Sequence, residues 1–239
     1  MAGHSKWNNI KRTKGKADAV KAASFTKIGR ELAVAVKSGG PDPASNAKLR
    51  DVVAKAKAAN IPNDNISRSI KKAAGELSSI NYESVVYEGY GAGGSAVIIE
   101  TLTDNKNRTV GEIRHLLDKY GGGLGTTGCV SFMFETKGVL ILEKTAKSDD
   151  DGVMMVALDA GAADIVAGGE VYEIYTDSAS LTAVREKLEA GGWAFLSGGV
   201  ERIPSNYVVL EGEALDRFNT MIDKLEELDD VQNVFFNIE

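Results

Sequence analysis

The strongest chemical signal in the sequence sits at its start. Trp7 stands among Lys6, Lys11, Arg12, Lys14 and Lys16, with His4 close ahead of it. An indole can stack on an exposed base while ammonium and guanidinium groups neutralise phosphates. That combination suits single-stranded or irregular RNA as well as a DNA backbone. The same residues also fit a solubilising tail whose Trp7 packs on the first helix; a basic arm that orders on binding is the stronger of the two readings. A second candidate is Thr103-Asp104-Asn105-Lys106-Asn107-Arg108-Thr109, which opens a helix. Backbone donors there, with Lys106 and Arg108, can hold a phosphate. Plain helix capping explains the same residues.

Catalytic and metal signals are thin. Gly89, Gly91 and Gly94 satisfy G-x-G-x-x-G, and Gly123, Gly125 and Gly128 repeat the spacing, but both runs precede strands. A dinucleotide fingerprint must follow a strand and open a helix, so tight connections are expected instead. No G-x-x-x-x-G-K-[ST] phosphate loop is present. His4 and His115 lie far apart, and Cys129 has no cysteine or histidine at ligand spacing. Cys129 is expected to start a strand as a small buried residue, and His115 to lie on a helix face. Asp149–Asp151 fall where a helix begins and suit its dipole. An enzyme is not expected, nor a cofactor or metal.

Elements must position these residues, and the charge shows where. The chain has 239 residues and a net charge of −6, but the average misleads. Residues 1–77 carry 16 Lys plus Arg against 6 acids, a net of +10, while 78–239 carry 12 against 28, a net of −16. Such an asymmetry describes a basic module that meets an anionic partner, joined to an acidic body. One cysteine excludes a disulfide scaffold, and the polar N-terminus is not a secretory signal. No apolar run is long enough to span a membrane, so the protein is expected in the cytoplasm.

The first 21 residues carry no apolar period, and regular structure is expected from near Ser24. Phe25, Ile28, Leu32 and Val36 recur at helical spacing up to Gly39-Gly40-Pro41. A second helix should start after Ser45, with Leu49, Val52, Val53 and Ala56 on one face, and stop before Pro62. On it Lys48 and Lys55 flank one side of the apolar stripe, Arg50 and Lys57 the other. A third, capped by Asp64 or Asn65, turns Ile66 and Ile70 inward and Arg68, Lys71 and Lys72 away, and ends at Gly75. Solvated helix faces account for any one of these basic rows; the case for a binding surface rests on their sum.

From residue 80 the pattern becomes strands alternating with helices. Strands are expected at 84–87, 95–102, 130–135, 139–142, 164–166, 171–175, 194–200, 207–210 and 231–236, and helices at 108–119, 150–159, 180–189 and 214–228. Residues 138–204 read strand, helix, strand, strand, helix, strand, the order of a ferredoxin-like sandwich. The flanking pieces, 95–137 and 205–239, together read the same way. The expected fold is therefore α+β with three domains: an N-terminal three-helix unit with its basic arm (1–77), then two ferredoxin-like α+β domains. One of these (78–137 plus 205–239) is interrupted by the other (138–204).

M-A-G-H-S-K-W at 1–7, followed by N-I-K at 9–11, resembles the opening of the YebC/PmpR family, related to the mitochondrial translational activator of cytochrome oxidase subunit one. F-T-K at 25–27, K-A-K-A-A-N-I-P at 55–62, D-N-I at 64–66 and Y-E-G-Y-G at 87–91 continue the resemblance. So do L-T-D-N-K-N-R-T-V at 102–110 and G-T-T-G-C-V-S-F-M-F-E at 125–135. It covers nearly the whole chain, most densely 1–137. The resemblance implies a helical domain followed by two α+β domains in a cytoplasmic protein described as a transcriptional regulator that binds DNA. It also implies a ribosomal role, easing stalls at proline-rich stretches near the peptidyl-transferase centre, with His4, Lys6, Trp7 and Lys11 as the RNA-facing tip. Where the family usually has a basic pair after the aspartate, this chain reads D-A-V-K-A-A-S at 18–24, so Lys21 alone is left for that phosphate contact.

The expected nucleic-acid-binding set is thus His4, Lys6, Trp7, Lys11, Arg12, Lys14, Lys16, Lys21, Lys27, Arg30, Lys71, Lys72, Lys106 and Arg108. Its partner is DNA, ribosomal RNA or both, with no membrane and with a monomer favoured. No segment resembles a helix-turn-helix, and specificity needs base-edge contacts beyond phosphates. The common expectation is a non-enzymatic, nucleic-acid-binding regulator of gene expression. A DNA-binding transcription regulator comes first, a ribosome-associated translation factor is the alternative, and an enzyme with an unrecognised site comes last.

Overall fold

The computed structural model describes residues 19–75, 80–145 and 149–239, and for 19–24 the backbone alone. In chain order the elements are α1 (Ala19–Gly39), α2 (Ala47–Ala58), α3 (Asn63–Ala74), β1 (Glu83–Tyr90), β2 (Ala96–Thr103), α4 (Lys106–Lys119), β3 (Gly123–Leu124) and β4 (Phe134–Glu143). They continue as α5 (Asp150–Ala160), β5 (Asp164–Ala167), β6 (Val171–Asp177), α6 (Leu181–Ala190), β7 (Phe195–Pro204), α7 (Gly212–Glu227) and β8 (Val231–Phe236). The fold is α+β: a helical unit followed by two four-stranded sheets. The described chain forms two compact units, one running up to Cys129 and taking up Leu210–Val234, the other made of Val130–Val209 with Phe235–Glu239.

In the helical unit, Ile28, Leu32 and Val36 of α1 share one buried cluster with Leu49 and Ala56 of α2 and Ile66 and Ala73 of α3. Two boundaries differ from expectation. α1 begins at Ala19, ahead of Ser24; the alanines at 19, 22 and 23 have high helix propensity. α3 starts at Asn63 on Pro62 and has no side-chain cap. The Pro62 carbonyl accepts from the amides of Asn65 at 2.9 Å and Ile66 at 3.1 Å, so proline's fixed φ closes the first turn in place of Asp64 or Asn65.

The first sheet has the order β3-β1-β2-β8, with β1 antiparallel to β2 along its whole length and to β3 at Gly89 and Tyr90. Ile113 and Leu117 of α4 and Phe218, Met221, Ile222 and Leu225 of α7 are buried in the same unit. A Cβ on Gly89 would lie 2.6 Å from the Gly123 carbonyl oxygen, so only glycine lets β1 and β3 approach this closely.

The second sheet has the order β5-β6-β4-β7, with β4 antiparallel to both neighbours. That is the split β-α-β arrangement of a ferredoxin-like sandwich. Leu140, Tyr172 and Ile174 pack under Val153 and Ala157 of α5 and Val184 and Leu188 of α6.

Three strand expectations are corrected. The expected strands at 130–135 and 139–142 are a 3-10 turn, Ser131–Met133, followed by one ten-residue strand, β4. The Met133 amide donates to the Val130 carbonyl at 3.0 Å, and this tight turn replaces extended chain. Residues 207–210 form no strand; they make a single parallel bridge, Val208 to Ile238. The strand that completes the first sheet is the two-residue β3, too short to leave a pattern in sequence. Cys129 accordingly does not start a strand. It is half-buried ahead of the 3-10 turn, and its carbonyl accepts from the Tyr90 hydroxyl at 3.0 Å.

Candidate nucleic-acid interface

The helical unit is set by one buried amide. The Asn46 side chain caps α2 by accepting from the Leu49 amide at 3.0 Å, and its NH2 donates to the carbonyls of Ala35 and Gly40, each at 2.8 Å. A Cβ on Gly39 would meet this side chain at 2.8 Å, so glycine leaves room for the amide at the end of α1. With Leu49 and Ala56 turned inward, Lys48, Arg50 and Lys57 of α2 are exposed, while Lys55 pairs with Glu31 at 2.7 Å. On α3, Ile66 and Ala73 face the core and Arg68, Lys71 and Lys72 face solvent.

Other cations are engaged internally. The Lys27 ammonium donates to the Glu226 carbonyl at 2.6 Å, and burial pushes its pKa down against the attraction of Glu226 and Asp229. Arg30 donates to the Leu102 carbonyl at 3.0 Å, pairs with Asp230, and lies 5.4 Å from the centroid of the Tyr82 ring. Arg108 reaches the same carboxylate at 2.8 and 3.0 Å, and Asp104 at 2.8 Å. Thr109 donates to Asp230 at 2.6 Å, and the Thr103 hydroxyl lies 3.1 Å from the same oxygen. Burial opposes ionisation of Asp230, yet hydrogen bonds from Thr109, Arg108 and Arg30 outweigh it and hold its pKa at about 2. The same bonds, with those to Asp104, push the Arg108 pKa up.

The T-D-N-K-N-R-T stretch is thus a cap and a polar junction. Asn105 caps α4 by accepting from the Arg108 amide at 3.1 Å. Lys106 pairs with Glu83 at 2.5 Å, both half exposed.

Of the expected set, the structure brings Arg30 and Arg108 together on Asp230, places Lys27 and Lys106 on other partners, and leaves Lys71 and Lys72 exposed without an ion pair among the described residues. His4, Lys6, Trp7, Lys11, Arg12, Lys14 and Lys16 lie outside the described residues, and Lys21 lies on α1 where only the backbone is described. Lys48, Arg50, Lys57 and Arg68 join Lys71 and Lys72 as exposed cations with no ion pair among the described residues. Their signal was the basic flanks of the α2 and α3 stripes. Among the described residues no group of three or more His, Cys, Asp or Glu could hold a metal ion, and no helix is long and apolar enough to cross a membrane.

Two family models cover the chain: the TACO1/YebC protein N-terminal domain over residues 5–76, and the TACO1/YebC second and third domain over 82–238. A protein of Acetivibrio thermocellus described as a probable transcriptional regulatory protein is 59% identical over 238 residues, 99% of this chain and 98% of its own. A protein of the same description from Clostridium novyi is 55% identical, covering 100% of this chain and 97% of its own. The crystal structure of a conserved hypothetical protein from Aquifex aeolicus matches with a TM-score of 0.83 and 41% identity, over 93% of this chain and 91% of that one. With both models matched in sequence order and relatives aligned end to end, the chain belongs to the TACO1/YebC family.

Proposed function

We propose that this chain is a non-enzymatic, nucleic-acid-binding regulator of gene expression that works in the cytoplasm through its helical unit and basic N-terminal arm. One observation carries the reading: six cations of α2 and α3 stand exposed without an ion pair among the described residues, while Lys27, Arg30, Lys106 and Arg108 are engaged internally. Exposed cations on two neighbouring helices, on both flanks of the α2 stripe, offer a surface that phosphates would neutralise. His4, Lys6, Trp7, Lys11, Arg12, Lys14, Lys16 and Lys21 extend it along the sequence. The relatives' shared description as probable transcriptional regulatory proteins supports regulation of transcription; on that reading the partner is duplex DNA.

Charge favours an RNA partner, and with the family resemblance this gives a second reading, a ribosome-associated translation factor that eases stalls at proline-rich stretches. Residues 78–239, at a net of −16, would lie near further phosphates on a duplex, whereas ribosomal RNA interleaved with basic proteins accommodates both halves. Crosslinking in cells and sequencing the attached nucleic acid separates the two. Promoter fragments support transcription; ribosomal RNA, lost on deletion of residues 1–16, supports translation. Recovery of neither would sink both.

A further inference from the structure

Between α1 and α3 the helical unit holds a groove of about 280 Å3. Its floor is apolar, made by the nearly buried Ile28, Leu32 and Ile66. Its rim is mixed: Phe25, 37% exposed, stands on the α1 side, and the polar Asn65 and Arg68 stand on the α3 side. Lys72 follows Arg68 one turn later along α3, so two cations without an ion pair among the described residues border the same edge. The Asn65 side-chain amide has no hydrogen bond among the described residues and can both donate and accept. Gly29 opens the α1 wall, with no atom within 4 Å of where a Cβ would stand.

An exposed ring, an apolar slot, an amide and flanking cations are the components that recognise an unstacked base with its phosphates. We infer that the groove between α1 and α3 receives one unpaired nucleobase of a single-stranded nucleic acid, packed against Phe25 and edged by Asn65, while Arg68 and Lys72 hold the neighbouring phosphates. This rests on the nucleic-acid reading above and adds its substrate class. A duplex keeps its bases inside the stack and can offer the groove nothing but phosphates. On this inference the contact is local and needs no regular helix in the partner.

The test uses the full chain and fluorescence anisotropy with four labelled probes: an oligouridine RNA, its deoxy counterpart, an abasic strand of equal phosphate count, and a duplex. The wild-type chain should bind the base-bearing strands about tenfold tighter than the abasic one, the scale of a single stacking contact. Gly29→Leu fills the groove with a better helix former. It should erase that tenfold difference while leaving abasic and duplex affinity unchanged and the thermal midpoint no lower. Phe25→Ala, at an exposed rim position, should do the same independently of any effect at residue 29. The inference is overturned if the wild-type chain binds abasic and base-bearing strands alike, or if both variants keep the difference. Binding to no probe at all would overturn the phosphate-binding face itself, a separate result. Preference for the ribose or the deoxyribose strand, within an intact base effect, supports the groove and identifies the sugar.

Discussion

Asp230 accepts hydrogen bonds from Arg30, Arg108 and Thr109, residues 200, 122 and 121 positions away in sequence. Buried and surrounded by donors, it ionises at about 2 against the usual 3.8. The unfolded chain therefore binds a proton that the folded chain rejects between those two values. This site's stabilisation is complete above about pH 4 and is lost as pH falls towards 2, and the lost amount is about 2 kcal/mol. Urea unfolding followed from pH 6 down to 2 should show it as a drop that Asp230→Asn removes. At neutral pH Asp230→Ala should cost about 3 kcal/mol, because the Arg30 guanidinium would be left in a largely buried position without its counter-ion. Nothing in the sequence marked this residue. It is the second of two aspartates ahead of β8, and the partners that give it meaning come from α1 and α4. Arg30 and Arg108 were legible as cations, but free and paired cations look alike until the acid that meets them is placed.

At the scale of elements, one buried side chain ties the end of α1 to the start of α2. Asn46 supplies one acceptor to a helix start and two donors to carbonyls at the end of α1. Asn46→Ala removes all three contacts and should lower stability by about 2 kcal/mol, more than an exposed cap costs, because the abandoned groups are buried. Asn46→Asp keeps the cap but turns a buried carboxylate oxygen onto the Ala35 and Gly40 carbonyls, so its thermal midpoint should fall at least as far as that of the alanine variant. An Asp midpoint close to wild type would show that the cap, not the carbonyl contacts, carries the joint. The helical unit could be read from sequence because its apolar positions recur at helical spacing with proline and glycine at the ends. The second sheet could be read for a similar reason, since each strand is followed by its own turn or helix. The first sheet could be read only in part: β1, β2 and β8 lie where strands were expected, but its remaining edge and its boundaries do not. Its β3 has two residues, β1 runs three residues past the expected end at Tyr87, and residues 207–210 look like a strand but have only one bridging partner, Ile238. Strand pairing is set by distant neighbours, and apolar alternation alone does not reveal whether a partner exists.

For the whole molecule, the net charge of −6 is the difference between surfaces that behave differently. Within the basic part, cations divide again into those engaged in the fold and those exposed without an ion pair among the described residues, and salt dependence can test whether the second group meets phosphates. If the arm and helical unit contact about six phosphates, log affinity for duplex DNA should fall with log salt at a slope near −5. Lys71→Glu with Lys72→Glu should bring that slope closer to zero by about 2 and weaken binding to all sequences alike, with little change in the unfolding midpoint. Lys27→Ala should behave in the opposite way. Its ammonium is partly buried against the Glu226 carbonyl, so its removal should lower the unfolding midpoint and leave the salt slope where it was. Titrations of the three proteins against one duplex from 50 to 300 mM salt, each paired with a urea curve, give both readouts. Should Lys27→Ala shift the slope as much as one of the α3 lysines does, the Lys27 contact must open on binding, and the division between structural and ligand-facing cations would be wrong.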